Sequence, residues 1–247
     1  NLVGKKAIAL LRSDKAITAE SLKEASVVLQ GLSAIEYLVF DGSEEAQSNF
    51  RTEQGTRRCD LLTANASLIQ ATAEELLNAW QGAYRVYFGA ENADYEVRLG
   101  EVLQSLSTRL EILHKDKLSA PLGYLNSLGR TNLYLGEAWR SKYSLPLIKA
   151  QLKALEQVVL DEHHSLIEYL ESQEQQTLAL KLRTQFKTLN QKLQSTKAGF
   201  VQASNEPDQE QQLRLVEQEI KQLLALLKND VPKALNINFG FNDNDGD

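Results

Sequence analysis

Methionine is absent from all 247 residues, cysteine occurs once, at Cys59, and there are only four prolines. A single thiol allows no internal disulfide and no thiolate metal cluster, and it does not specify a compartment. With no methionine and Asn1 at the front, the chain reads as a processed or trimmed product, any signal peptide lying upstream. No run of about 18 apolar residues occurs, so no membrane-spanning helix is expected. Positive charge is also in deficit: 27 Lys and Arg against 33 Asp and Glu give a net charge of −6. A dedicated nucleic-acid binder needs a basic face to displace counterions, and clusters as small as Arg57–Arg58 do not supply one. Glycine-rich phosphate loops, nucleophile elbows and HExxH zinc helices are missing too, which excludes the familiar motif-bearing enzyme classes.

What the sequence does contain is helical periodicity. Leu62, Ala66, Ile69, Ala73, Leu76, Trp80 and Tyr84 recur at three- and four-residue steps, the apolar stripe of a long helix predicted over Thr52 to Tyr84. Leu99, Val102, Leu106, Leu110 and Leu113 form a second stripe, and Ile148 through Leu170 a third. Leu178 through Leu193 and Leu213 through Leu227 supply two more. Shorter helices are expected near Leu2 to Arg12, Ala19 to Gln30 and Ala34 to Phe40. The class is therefore all-α, with two helical-bundle halves. Residues 1–93 read as an incomplete N-terminal bundle, and residues 94–247 are expected to form a four-helix bundle. The boundary falls in "YFGAENAD", Tyr87 to Asp94, where small and polar residues interrupt the pattern. The longest irregular stretch runs over 117–144. Loops of that length in compact proteins are functional or disordered, and its tyrosines, leucines and Trp139 favour a packed one.

Four separated segments carry a resemblance to a known family: "GLSAIEYLVF"; "RRCDLLTANASLIQATAEELLNAW"; "KLSAPLG" with "GEAWRSKYSLPLIKAQLKALEQ"; and the terminal "NINFGFNDNDGD". Their order and spacing resemble the imelysin family, bacterial cell-envelope proteins named for a proposed peptidase activity and often regulated by iron. The resemblance implies two related helical halves with a functional site in the cleft between them. It also implies a periplasmic or outer-membrane-associated location, with a signal peptide and a possible upstream lipid anchor. Gly31 arrives early for such a protein, which agrees with a missing N-terminal segment; intact-mass analysis of the native protein tests this.

The family signature is GxHxxE. Gly31 and Glu36 match its glycine and glutamate, while Ser33 stands where the histidine belongs. A histidine and a glutamate at that spacing can reach one ion, because such helical neighbours lie about 5–6 Å apart at Cβ. A serine hydroxyl is a poor ligand for zinc or ferric iron. Ser-Ala-Ile-Glu is also a capping-box sequence, in which Ser33 would cap a helix and Glu36 reach back to it. Glu36 thus carries two readings, capping partner and surviving acid of a cleft, and it is the one metal-ligand candidate, for iron or another divalent metal.

Glu137, Trp139, Arg140 and Ser141 match the second-half motif. Arg140 either grips a carboxylate or phosphate in two-pronged fashion or forms a buried ion pair, Glu36 being one candidate partner. Arg57 and Arg58 either serve an anion-binding cleft or decorate a solvated helix start. His164 and Glu168, with His163 and Glu162, have metal-compatible spacing but read as an exposed surface cluster. His114 suits a helix C-terminus. "DNDGD" has part of the composition of a calcium loop without its twelfth-position glutamate, and Phe239 and Phe241 favour docking of the tail. The functional expectation is a non-enzymatic binding protein linked to iron uptake or homeostasis, its partner a small ligand, a metal or an envelope protein. The alternatives are a metallopeptidase-like hydrolase using Glu36 as general base, and a structural or protein-interaction bundle.

Overall fold

The computed structural model describes residues 2–41, 50, 53–89, 95–196, 200–201 and 206–237. Every regular element among them is helical, and the chain divides into two units, Asn1–Ala93 and Asp94–Asp247.

In the first unit three short helices, α1 (Leu2–Leu11), α2 (Ala19–Lys23) and α3 (Leu32–Phe40), pack on the long α4 (Glu53–Gln81), which continues after one residue into α5 (Ala83–Gly89). Thr18 caps α2 in a reciprocal box: its hydroxyl accepts from the Ser21 amide at 3.1 Å, and Ser21 Oγ accepts from the Thr18 amide at 2.9 Å. The helix expected over Ala19 to Gln30 breaks after Lys23, leaving a 3₁₀ turn at Val27–Leu29. There the Gln30 carboxamide takes over the freed carbonyls, donating to Leu22 O at 2.8 Å and Ala25 O at 3.3 Å. The core is Ala7, Leu22, Leu29, Tyr37, Leu38, Leu61 and Ala64. Gly4 brings α1 against α3, since a Cβ there would sit 3.0 Å from the Tyr37 ring.

The stripe on α4 is corrected. Leu61, Ala64 and Asn65 are buried, whereas Ala66, Ala73, Leu76, Trp80 and Tyr84 are exposed. The reason is length: 29 residues make a helix of about 43 Å, and partners of ten, five and nine residues pack only near its start. Further along, Trp80, Tyr84 and Phe88 stack on one another, with Trp80 and Tyr84 centroids 5.3 Å apart.

In the second unit the helices are α6 (Tyr95–His114), α7 (Ser144–Leu160), α8 (Leu166–Ser172), α9 (Gln176–Ser195), α10 (Pro207–Ala225) and the short α11 (Val231–Ala234). Here α10 lies against α9 and α6, while α7 and α9 flank α8. Leu106, Leu110, Leu182, Phe186, Leu189, Leu213, Ile220 and Leu223 of the predicted stripes are buried, Leu99 and Val102 are half-buried, and Leu103 joins the core beside them. The third stripe is not one helix: it divides at Asp161–Ser165, where His164 turns through φ 59° and Ser165 caps α8. Two π-helical turns, Lys115–Ser119 and Leu226–Asp230, extend α6 and α10. The 117–144 stretch is packed at Leu118, Leu122 and Leu133, with a 3₁₀ turn at Leu133–Leu135.

Candidate functional site

Gly31 is the residue that starts α3. Its φ of +80° lies in the region that favours glycine, its carbonyl accepts from the Ala34 and Ile35 amides at 3.2 Å, and Leu32 is already helical. Ser33 is therefore the second helical residue and not the cap, which corrects the capping-box reading: the left-handed glycine turns the chain into the helix two residues earlier. Ala34, Tyr37 and Leu38 face the core, Ser33 is exposed, and Glu36 is half-buried one turn further on. On this helix, then, an exposed hydroxyl and one carboxylate share neighbouring positions. That donor pair by itself does not fit a zinc or iron ion, and among the described residues no three His, Cys, Asp or Glu side chains gather in a metal-holding group.

Arg57, half-buried, and Arg58, buried, both direct their guanidinium groups to backbone carbonyls. Arg57 donates from Nε to Leu11 O at 3.1 Å and from Nη2 to Leu10 O at 3.2 Å and Lys15 O at 2.8 Å. Arg58, only 8% exposed, donates to Leu38 O at 2.9 Å and lies over the Tyr37 and Phe50 rings. Each guanidinium sits where a helix ends, at α1 and α3, and satisfies carbonyls left over by the terminus in a favourable position for a cation. Nearby, buried Asn65 donates to Leu29 O at 3.1 Å and Leu61 O at 3.0 Å, tying α4 to the turn before Gly31.

In the second unit the residues of the other motif form one tight turn. Ala138 and Lys142 have φ of 54° and 60°, a conformation that costs a non-glycine residue about 1 kcal/mol or more. Between them Trp139 is half-buried, its ring edge-on to Tyr134 at 4.8 Å, and the Arg140 guanidinium lies 4.4 Å from the Trp139 centroid. Hydrogen bonds hold the strain: Tyr143 N donates to Ala138 O at 3.0 Å, Lys142 N to Trp139 O at 3.2 Å and Ser141 Oγ to Ala138 O at 3.0 Å. Glu137 pairs with Lys117, and Ser144 donates to the Glu137 carbonyl. A cation stacked on an indole in a braced turn is suited to an anionic or aromatic group.

Two polar clusters fasten this region to α10. Thr131 Oγ1 donates to Glu210 Oε1 at 2.9 Å, and Arg214 Nη2 donates to Glu210 Oε1 at 2.7 Å and to Leu122 O at 3.1 Å. The hydrogen bond from Arg214 holds the Glu210 carboxyl below its ordinary range, against partial burial, which acts the other way. Deeper, Ser119 and His114 meet buried Glu217, and Lys228 Nζ reaches Glu111 at 2.6 Å. His114, the last residue of α6, thus also lies against a buried carboxylate of another helix. The adjacency of Glu111 and His114 was readable in the sequence; their partners on another helix were not. His163, His164, Glu162 and Glu168 are exposed, and Glu168 accepts from the His164 amide at 2.5 Å.

A family model described as Imelysin, and labelled a peptidase family, matches residues 1–227. The chain belongs to the imelysin family. No curated protein and no solved structure matches it. The imelysin match takes in both motif segments, so Gly31, Ser33 and Glu36 on one side, and Glu137 to Ser141 on the other, stand within the family region. It ends inside the second π-helical turn. Beyond it Ile237 is buried beside Gly100, while Phe239, Phe241 and "DNDGD" lie outside the described residues, as do residues 90–94 of the predicted boundary.

Proposed function

We propose that this imelysin is a non-catalytic binding protein of the bacterial cell envelope, periplasmic or outer-membrane-associated, that contributes to iron uptake or homeostasis. Its ligand is an anionic or metal-bearing small molecule, for which each unit offers its own candidate contact, Glu36 of α3 in the first and the Trp139–Arg140 turn in the second. The observation that carries this reading is the pairing at α3 of exposed Ser33, where the family signature has histidine, with half-buried Glu36 one turn later. That change removes the strongest metal donor while keeping the acid, which favours recognition over metal-activated hydrolysis. The strained turn at Ala138–Lys142 adds support, because backbone strain of this kind is stored at ligand clamps.

The test is calorimetry with iron(II), zinc(II) and ferric citrate on wild type, Glu36→Gln and Arg140→Ala, alongside a peptide-hydrolysis assay. Binding of one of these, weakened about tenfold or more by either substitution, with no cleavage, is the expected result. The family's peptidase label favours one second reading, a hydrolase with Glu36 as general base. Peptide cleavage abolished by Glu36→Gln would establish that reading instead, and binding indifferent to both substitutions would leave a structural bundle.

A further inference from the structure

The 117–144 region of the second unit ends in a rigid tip. Gly123, at φ +87°, presses against the backbone of Arg130 so closely that a Cβ would meet its carbonyl carbon and oxygen at 2.6 Å. Asn126 braces what lies between: its Oδ1 accepts from the Leu128 and Arg130 amides at 3.2 Å, and its Nδ2 donates to Arg130 O at 2.9 Å. Leu122 on one side of the neck and Leu133 beyond the other are buried. All seven residues from Tyr124 to Arg130 are exposed, with Leu125 at 61% and Leu128 at 72%. The turn's own hydrogen bonds hold its two leucines in water, an adjacent apolar pair presented outward.

Charge narrows the choice. The chain carries −6 overall, yet residues 117–144 contain four basic side chains, Lys117, Arg130, Arg140 and Lys142, against one acidic, Glu137, which is paired with Lys117. Tyr134 and Tyr143 are also exposed in this region, and tyrosine prefers an apolar–polar boundary. A tip that carries Leu125 and Leu128 between Tyr124 and Arg130, on a net-basic stretch of an otherwise acidic protein, suits a deformable anionic surface.

We propose that the Tyr124–Arg130 tip is a peripheral membrane contact. Leu125 and Leu128 enter the headgroup–acyl boundary of an anionic phospholipid leaflet, Tyr124 lies at headgroup depth, and Arg130 pairs with lipid phosphate. The acidic remainder of the protein is repelled by the same surface, which fixes the face that docks. This inference is independent of the ligand reading above.

The experiment is co-sedimentation of the 247-residue chain, without lipid modification, with vesicles of phosphatidylcholine alone or mixed with phosphatidylglycerol. Binding is expected to the anionic vesicles and to weaken with salt. Substituting both leucines, Leu125→Ser with Leu128→Ser, lowers the partition about tenfold or more, and Arg130→Gln lowers it less and only at low salt. Unchanged circular dichroism shows that the variants fold. Leu76→Ser with Leu77→Ser, on the exposed part of α4, leaves binding intact. Wild type that ignores both vesicles, or a tip variant that binds as well as wild type, overturns the proposal; loss on the α4 change with none on the tip change assigns the contact to α4 instead.

Discussion

Ser119 Oγ donates to Glu217 Oε1 at 2.8 Å, and His114 Nε2 lies 2.7 Å from the same oxygen. The histidine contact is close without being an aligned hydrogen bond, since Nε2 finds no partner within hydrogen-bond angles. One buried carboxylate on α10 therefore fixes the π-helical turn from which the 117–144 region departs. Ser119→Ala should cost about 1 kcal/mol and Glu217→Ala about 2–4 kcal/mol, the latter because it strands two buried groups. Urea unfolding of the two variants and their double mutant measures both costs and the coupling between them.

The Glu210–Arg214–Thr131 cluster should respond to acid. A carboxyl held below its ordinary range stabilises the fold above its unfolded value, about pH 4.3, and that contribution is lost as pH falls through the lower folded value. The melting temperature of wild type should drop between about pH 5 and pH 3, and Glu210→Gln should show a shallower drop together with lower stability at neutral pH. Parallel pH profiles for the two proteins would refute this.

Gly31 and Ser33 separate two accounts of how α3 begins. Gly31→Ala forces an L-residue to φ +80° and should cost about 1–2 kcal/mol. Nothing crowds the space where the methyl would go, so the cost is conformational alone. Ser33→Ala should change stability by less than about 0.5 kcal/mol, as for an exposed residue that is not a cap. Thermal denaturation distinguishes them, and a cost near 1 kcal/mol at Ser33 would revive the capping box.

Leu182 is fully buried in α9. Leu182→Ala should destabilise the second unit by about 2–5 kcal/mol, readable by calorimetry, with a midpoint unchanged from wild type counting against its place in the core.

Where partners are long and the stripe is covered, the sequence and the structure agree: Leu106, Leu110 and Leu113 on α6, Leu182, Phe186 and Leu189 on α9, and Leu213, Ile220 and Leu223 on α10 all face the core. Periodicity marks an apolar face but not whether anything covers it, which is why Leu76, Trp80 and Tyr84 were misassigned. Ser33 illustrates competition between signals, since a capping box and a left-handed glycine two residues earlier both satisfy local rules and only one can start the helix. The roles of Arg57, Arg58 and Glu217 were hidden for a different reason. Their hydrogen bonds span 20 to 98 positions, and no local pattern encodes which distant carbonyl or hydroxyl a side chain will meet.

Helix α4 carries a consequence of its own. Its first turns are sealed by Leu61, Ala64 and Asn65, whereas every residue from Thr72 to Asn78 is exposed. Amide protons along this one helix should therefore exchange with deuterium on a gradient, slowest around Leu61, where release requires the first unit to unfold, and faster past Thr72, where local fraying suffices. Trp80, near the end of α4, stacks with Tyr84 and Phe88 of α5, so the quickest exchange should fall over Thr72 to Asn78, ahead of that clasp.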